Sequence, residues 1–197
     1  MDNIYSESYL AWVLIWMTWN TFLAFVPVLL ARLIHRNRID PFNYFLLAIW
    51  LFFVPNTIYL ITDVIHVFSR SFAISNVYSQ ILMFSVYISV IGLAPYSYYH
   101  SLVPVIKKFQ KFVYSKSANR SKWLSLLFGL IIAMGVAIGR FSRANSWDVF
   151  TSPDRMLGDV LHIFQYWESI FFLIGYSLAL SVLNILILRS IKSKKGL

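Results

Sequence analysis

No cysteine occurs in the 197 residues, which excludes disulfides, thiolate metal centres, covalent haem attachment and cysteine nucleophiles, and leaves the redox compartment open. Charge is nearly as scarce. Only 13% of the residues are Asp, Glu, Lys or Arg, where a soluble domain usually carries about 25%. Against that, 59% are hydrophobic, 18% are aromatic and the mean hydropathy is +0.67. This is the composition of an integral membrane protein. Also missing are a Gly-rich phosphate loop, a His-Glu-x-x-His helix and a Gly-x-Ser-x-Gly elbow. Internal repeats, low-complexity tracts and linkers long enough to separate two domains are missing as well. A single integral-membrane helical domain over residues 1–197 is the expectation.

Acidic residues are the rarer sign, with eight Asp and Glu against seventeen Lys and Arg for a net charge of +9. In a soluble chain such a balance would point to nucleic acid. Here it is assigned to cytoplasmic loops, and no nucleic-acid partner is expected. A spanning helix needs roughly 20 mainly apolar residues, and windows at about 10–34, 42–62, 77–99, 123–139 and 168–188 meet or approach that length. The first follows Asp2 and Glu7 with no basic leader and no small-residue cleavage site, so it is read as a span and not as a signal peptide. With the N-terminus outside, thirteen of the seventeen Lys and Arg fall on the inner side, and seven of the eight acids fall outside. The positive-inside rule therefore predicts an all-α, polytopic bundle of about five transmembrane helices, N-terminus out and C-terminus cytoplasmic.

Local markers add detail. Tyr96, Tyr98 and Tyr99 close the third window beside a basic loop, as an interfacial aromatic belt would. Gly135 and Gly139 form a small-xxx-small pair suited to close helix packing. Ser152 can cap a helix that starts at Pro153, with Asp154 in its first turn. Met156, Leu157, Val160, Leu161, Phe164 and Trp167 then recur at helical spacing, leaving Asp159 and His162 on another face. An interfacial helix near 153–166 is predicted. Asn20, at mid-span, suits an interhelical hydrogen bond.

Polar groups gather at one membrane level. Pro55 should kink or break the second span. Beyond it Asn56, Tyr59, Asp63 and His66 are spaced by three, four and three residues, one helical face if the helix resumes. The fourth span runs in the same direction and reaches Arg140 near the same outer level, followed by Arg143, Asn145, Ser146 and Asp148. Ionisable groups near hydrocarbon are costly and usually face a bundle interior or a cavity, so this level is the candidate site.

The stretches from Val54 to His66 (Val54-Pro55-Asn56-Thr57-Ile58-Tyr59-Leu60-Ile61-Thr62-Asp63-Val64-Ile65-His66) and from Gly139 to Asp148 (Gly139-Arg140-Phe141-Ser142-Arg143-Ala144-Asn145-Ser146-Trp147-Asp148) resemble two signatures of an uncharacterised bacterial membrane family, domain of unknown function 1361. Trp19-Asn20 followed by Pro27 resembles that family's opening segment. Ala144 departs from it, standing where a bulky aromatic is expected. The resemblance implies a fold and a membrane location and carries over no activity.

Several chemistries fit these residues. Asp63 and His66 suit a general base with its orienting carboxylate. They equally suit two metal ligands completed by His162, Asp148 or Asp159, or an ion pair to Arg140 or Arg143 that locks two spans. The paired arginines suit bidentate recognition of phosphate or carboxylate, or plain snorkelling at a helix end. The first functional expectation is an outward-facing site acting on or binding an anionic lipid headgroup or lipid-linked phosphate. In it Asp63 and His66 are catalytic, Arg140, Arg143, Asn56, Tyr59, Asn145 and Asp148 bind substrate, and no cofactor is specified. The alternatives are a small permease-like transporter working through the Pro-broken helix, and a non-catalytic subunit using Gly135 and Gly139 as contact points. The expected setting is the bacterial cytoplasmic membrane, with its lipids as partners and a membrane protein as a further candidate partner.

Overall fold

A computed structural model of the chain describes residues 2–36, 38–71, 76–109, 113, 118–142 and 148–193, with side chains described for 9–36, 38–62, 76–109, 113, 120–142 and 148–193. The described residues form helices α1 (Asp2–Arg36), α2 (Pro41–Ser71), α3 (Val77–Lys108), α4 (Ala118–Ala137), a π-helical turn at Ile138–Ser142, a short α5 (Asp148–Thr151), α6 (Pro153–Ile163) and α7 (Trp167–Ser193). Five of these contain segments long and apolar enough to cross a membrane: Tyr9–Arg36, Pro41–Thr62, Val77–Lys108, Arg120–Ser142 and Trp167–Ser193. The protein is a polytopic helical bundle. Its large apolar side chains are exposed all around the outside, among them Ile15, Phe22, Ile88, Leu127 and Val182, as a surface bathed in lipid requires.

The α1–α2 turn is fixed by its own sequence. Pro41 opens α2 at a position that needs no donor. Asp40 caps it by accepting from the Asn43 backbone N–H at 2.7 Å, while Asn43 Nδ2 donates back to the Ile34 carbonyl at 3.0 Å. Asn76 caps α3 in the same way, accepting from Tyr78 N–H at 2.9 Å.

α2 is the central helix. One side packs with α1 and α3, and the half of that trio near the start of α1 encloses Val13, Met17, Leu60, Met83 and Tyr87. Its other side meets the tightly paired α4 and α7 across Trp50, Val54, Ile58, Ile132, Val136 and Leu173. The ends of α1 and α3 lie together, since His35 Nδ1 meets the Pro104 carbonyl at 3.1 Å and Lys108 Nζ reaches the His35 carbonyl at 3.5 Å. α4 and α7 are antiparallel. The bundle thus collects Arg32, Arg36, Arg38, Lys107, Lys108, Arg120, Lys122, Arg189 and Lys192 at one end and Arg140 at the other.

Two local expectations are corrected. α3 runs to Lys108, nine residues past the expected end at Tyr99, so Tyr98 is not an interfacial belt residue. It is fully buried, and its hydroxyl donates to Asn184 Oδ1 at 2.6 Å, which removes the cost of burying a phenol. Tyr96 alone stays exposed, packed on the His100 ring. The helix expected after Ser152 forms with Pro153 in its first turn, but the Ser152 side chain makes no capping hydrogen bond. Ser152 instead closes the preceding turn, its N–H donating to the Asp148 carbonyl at 2.8 Å. The helix ends at Ile163, because Phe164 and Gln165 turn back onto the carbonyls of Leu161 and His162.

Candidate functional site

Two departures from regular helix meet between α2 and α4. Pro55 cannot donate to the carbonyl four residues earlier, yet α2 continues through it to Ser71. Its ring is received by Gly135, where a β-carbon would stand 2.5 Å from Pro55 Cγ and 2.9 Å from Pro55 Cβ. The small-xxx-small pair therefore serves the α2–α4 contact inside the bundle. One turn further on, α4 loosens into the π-turn, a rare geometry that is frequent at functional sites.

Side chains stitch the loosened backbones together. Tyr59 donates from α2 to the Gly139 carbonyl at 3.5 Å, and Arg140 Nη1 donates from the π-turn to the Thr62 carbonyl at 3.5 Å. Tyr176, on α7, donates to the Ile58 carbonyl at 3.3 Å. Within α2, Asn56 Nδ2 reaches the Phe53 carbonyl at 3.2 Å, and the hydroxyls of Thr57 and Thr62 each donate to the carbonyl three residues back at 2.7 Å. The interhelical bonds are long by hydrogen-bond standards.

Arg140 is half-buried in aromatic surroundings. Its Cζ lies 5.5 Å from the Phe172 ring centroid and 5.9 Å from that of Phe141, within cation–π range. Phe172 stacks in turn on Tyr176 at 4.9 Å. Among the described residues the one ion pair joins Arg155 to Asp159 at 3.8 Å, so no described carboxylate neutralises Arg140. A guanidinium has five N–H donors in a planar fork, and among the described residues its one hydrogen bond, to Thr62, leaves donors able to take a phosphate or carboxylate.

The two polar motifs, though about 80 residues apart, are thus brought together at Tyr59–Gly139 and Thr62–Arg140. Asn56 and Tyr59 lie on the α2 side of that junction, and Arg140 lies on the α4 side. Asp148 is buried at the start of α5. α5 folds back along α2, because Phe150 meets Phe52 edge-on at 5.8 Å; Phe52 lies ten residues before Thr62, roughly 15 Å along a helix. The α2 backbone is helical through Asp63 and His66, but the side chains of those two residues, and Arg143, Asn145 and Ser146 entirely, lie outside the described residues.

Among the described residues no three His, Cys, Asp or Glu gather as metal ligands. The proposed completing ligands go separate ways: Asp159 pairs with Arg155, the His162 ring packs on Tyr166 at 4.8 Å, and Asp148 is buried in α5.

Sequence reasoning missed the α7 contributions to this level, Phe172 and Tyr176. It also missed a buried polar network nearer the basic end. There Asn184 accepts from Tyr98 and reaches the Ser125 carbonyl at 3.4 Å, while Ser181 donates to the Ser177 carbonyl at 2.6 Å. The signal was the run Ser177, Ser181, Asn184, at spacings of four and three on one face of an otherwise apolar span.

No curated protein and no solved structure matches the chain. A family described as "Protein of unknown function (DUF1361)" matches residues 19–183, from Trp19 in α1 to Leu183 in α7 and across both polar motifs. This multi-pass membrane protein, with its proline-interrupted hydrogen-bond ladder in α2 and its π-turned α4 joined at one end, belongs to the DUF1361 family.

Proposed function

We propose that the α2–α4 junction is an outward-facing binding site for an anionic lipid headgroup or lipid-linked phosphate, in a bacterial cytoplasmic membrane with the basic end of the bundle inside. Arg140 and Arg143 hold the anion; Asn56, Tyr59, Asn145 and Asp148 shape the site. Asp63 and His66, one helical turn apart, are the groups assigned to proton or metal chemistry.

The observation that carries this reading is Arg140. A half-buried cation at the edge of a hydrocarbon-spanning bundle, held by two aromatic faces and one long carbonyl contact, is expensive to maintain for packing alone. An aromatic surround and an uncommitted fork suit a ligand that supplies the missing negative charge. The third reading, a subunit docking through its glycines, loses its support at Gly135, which is already occupied by Pro55.

The test is lipid binding by the purified chain in detergent, with Arg140→Gln and Arg143→Gln compared against wild type. Losing a charge-assisted hydrogen bond costs roughly 1.5–3 kcal/mol, about a tenfold or greater loss of affinity for a lipid phosphate. Unchanged affinity in both folded variants would overturn the proposal.

A further inference from the structure

α6 lies against the π-turn that carries Arg140. Met156, Val160 and Ile163 pack on Ala137, Ile138 and Phe172, the same Phe172 whose ring faces the Arg140 guanidinium. The opposite face of α6 presents Leu157 and Leu161, 64% and 59% exposed, and Phe164 and Trp167 follow as exposed aromatics. A short helix with that outer face lies in the membrane interface, at the depth of lipid headgroups.

Among the described residues, Asp159 Oδ2 on α6 and Ser142 Oγ in the π-turn are buried without a hydrogen-bond partner. Asp159 stands one turn from Met156 and Ile163 on the packed side, so its buried oxygen belongs to the α6–π-turn contact. Arg155 approaches it at 3.8 Å, but that side chain is 57% exposed, and pairs of this kind contribute little. A buried carboxylate oxygen lacking a donor is costly. The junction therefore offers a cationic fork beside Phe172 and, on the α6 side of the same apolar cluster, an acceptor for a donating cation.

We infer that the ligand of this site is a phospholipid bearing a primary amine. This rests on the anion-binding reading of Arg140. The phosphate lies on the Arg140 fork, and the headgroup ammonium donates to Asp159 Oδ2, with Ser142 Oγ as a further acceptor. The ammonium replaces Arg155 as the partner of Asp159. A purely anionic headgroup would bring its charge toward the carboxylate unrelieved, and a trimethylated amine has no N–H to donate.

The experiment titrates the full chain in detergent with short-chain phosphatidylethanolamine, phosphatidylglycerol and phosphatidylcholine, read by calorimetry. Wild type should bind phosphatidylethanolamine about tenfold more tightly than either of the others. Asp159→Asn, nearly isosteric and on a surface helix, should abolish that preference while retaining phosphatidylglycerol binding. Arg155→Gln, which removes the competing cation, should increase it. Equal affinity of wild type for the three lipids, or a preference that survives Asp159→Asn, overturns the amine assignment and leaves the anion site standing. If the wild type binds none of them, the anion reading itself fails. Free phosphoethanolamine, as a fourth titrant, separates headgroup recognition from recognition of the lipid: equal affinity for it would refute a lipid ligand.

Discussion

Gly135→Ala tests the α2–α4 junction at its tightest point. The added β-carbon would stand 2.5 Å from Pro55 Cγ and 2.9 Å from Pro55 Cβ, whereas carbon atoms pack best at about 3.5–4.0 Å. A proline ring cannot swing away, so the two helices must part by roughly 1 Å at this level. Such overpacking typically costs about 1–3 kcal/mol. The Tyr59–Gly139 and Arg140–Thr62 bonds, each already 3.5 Å, would be pulled out of range, at about 0.6 kcal/mol apiece by the average for membrane proteins. Replacing glycine by alanine inside a helix returns about 1 kcal/mol. The balance is a net loss of roughly 1–3 kcal/mol.

Gly92 and Gly175 are internal references, since a β-carbon at either meets nothing within 4 Å. Alanine there keeps the propensity gain with no clash, so those variants should equal or exceed wild type in stability. The assay is reversible unfolding of the purified protein in detergent, followed by circular dichroism. Combining Gly135→Ala with Pro55→Ala removes the ring that is struck, and the two changes should be non-additive by at least about 0.5 kcal/mol. The close approach would be refuted by a Gly135→Ala protein as stable as the Gly92→Ala reference.

Gly129→Ala should be at least as damaging as Gly135→Ala, because its β-carbon would meet Ser181 Oγ at 2.5 Å and the backbone carbonyl of Ser177 at 2.8 Å; a stability matching Gly175→Ala would contradict the α4–α7 packing. Asn184→Leu strands the buried Tyr98 hydroxyl and should cost about 1–3 kcal/mol, and Tyr98→Phe in that background should recover part of the loss. Simple addition of the two effects in unfolding assays would argue against their hydrogen bond. The native chain has no cysteine, so single thiols report topology without background: Gln165→Cys should react with an impermeant maleimide in intact cells and Lys122→Cys should not. The reverse labelling pattern would place the Arg140 site on the inner side and end the outward-facing reading.

What was legible in the sequence follows from how hydrocarbon selects residues. Five apolar stretches of sufficient length fix five spans, since an unsatisfied backbone cannot cross a bilayer. The Pro153 start of α6 uses only residues in sequence contact, and so does its apolar period. Tyr98 was misread because an amphipathic ring beside a basic loop has two solutions, the interface or a buried partner. The partner is Asn184, 86 positions away. Pro55 announces an interrupted helical ladder, but not that Gly135 receives its ring, because that match depends on the rotation of α4 about its axis. The π-turn has no local signature either. Gly139-Arg140-Phe141-Ser142 would continue a regular helix on propensity alone, and tertiary contacts decide otherwise.

The irregularities of α2 and α4 fall at one level, which bears on why polar side chains gather there. A proline in one helix and a wide turn in the next each release backbone groups that lipid cannot satisfy. Thr57, Tyr59, Thr62, Arg140 and Tyr176 all donate to backbone carbonyls within this region. Four of these donors are neutral hydroxyls, enough to show that carbonyl repair does not require a charge. Arg140 is the exception. A glutamine there could also reach the Thr62 carbonyl, but it would bring neither a fork nor a positive charge. Repair of the backbone accounts for a polar side chain at position 140, and the charge of Arg140 is what calls for an anionic ligand.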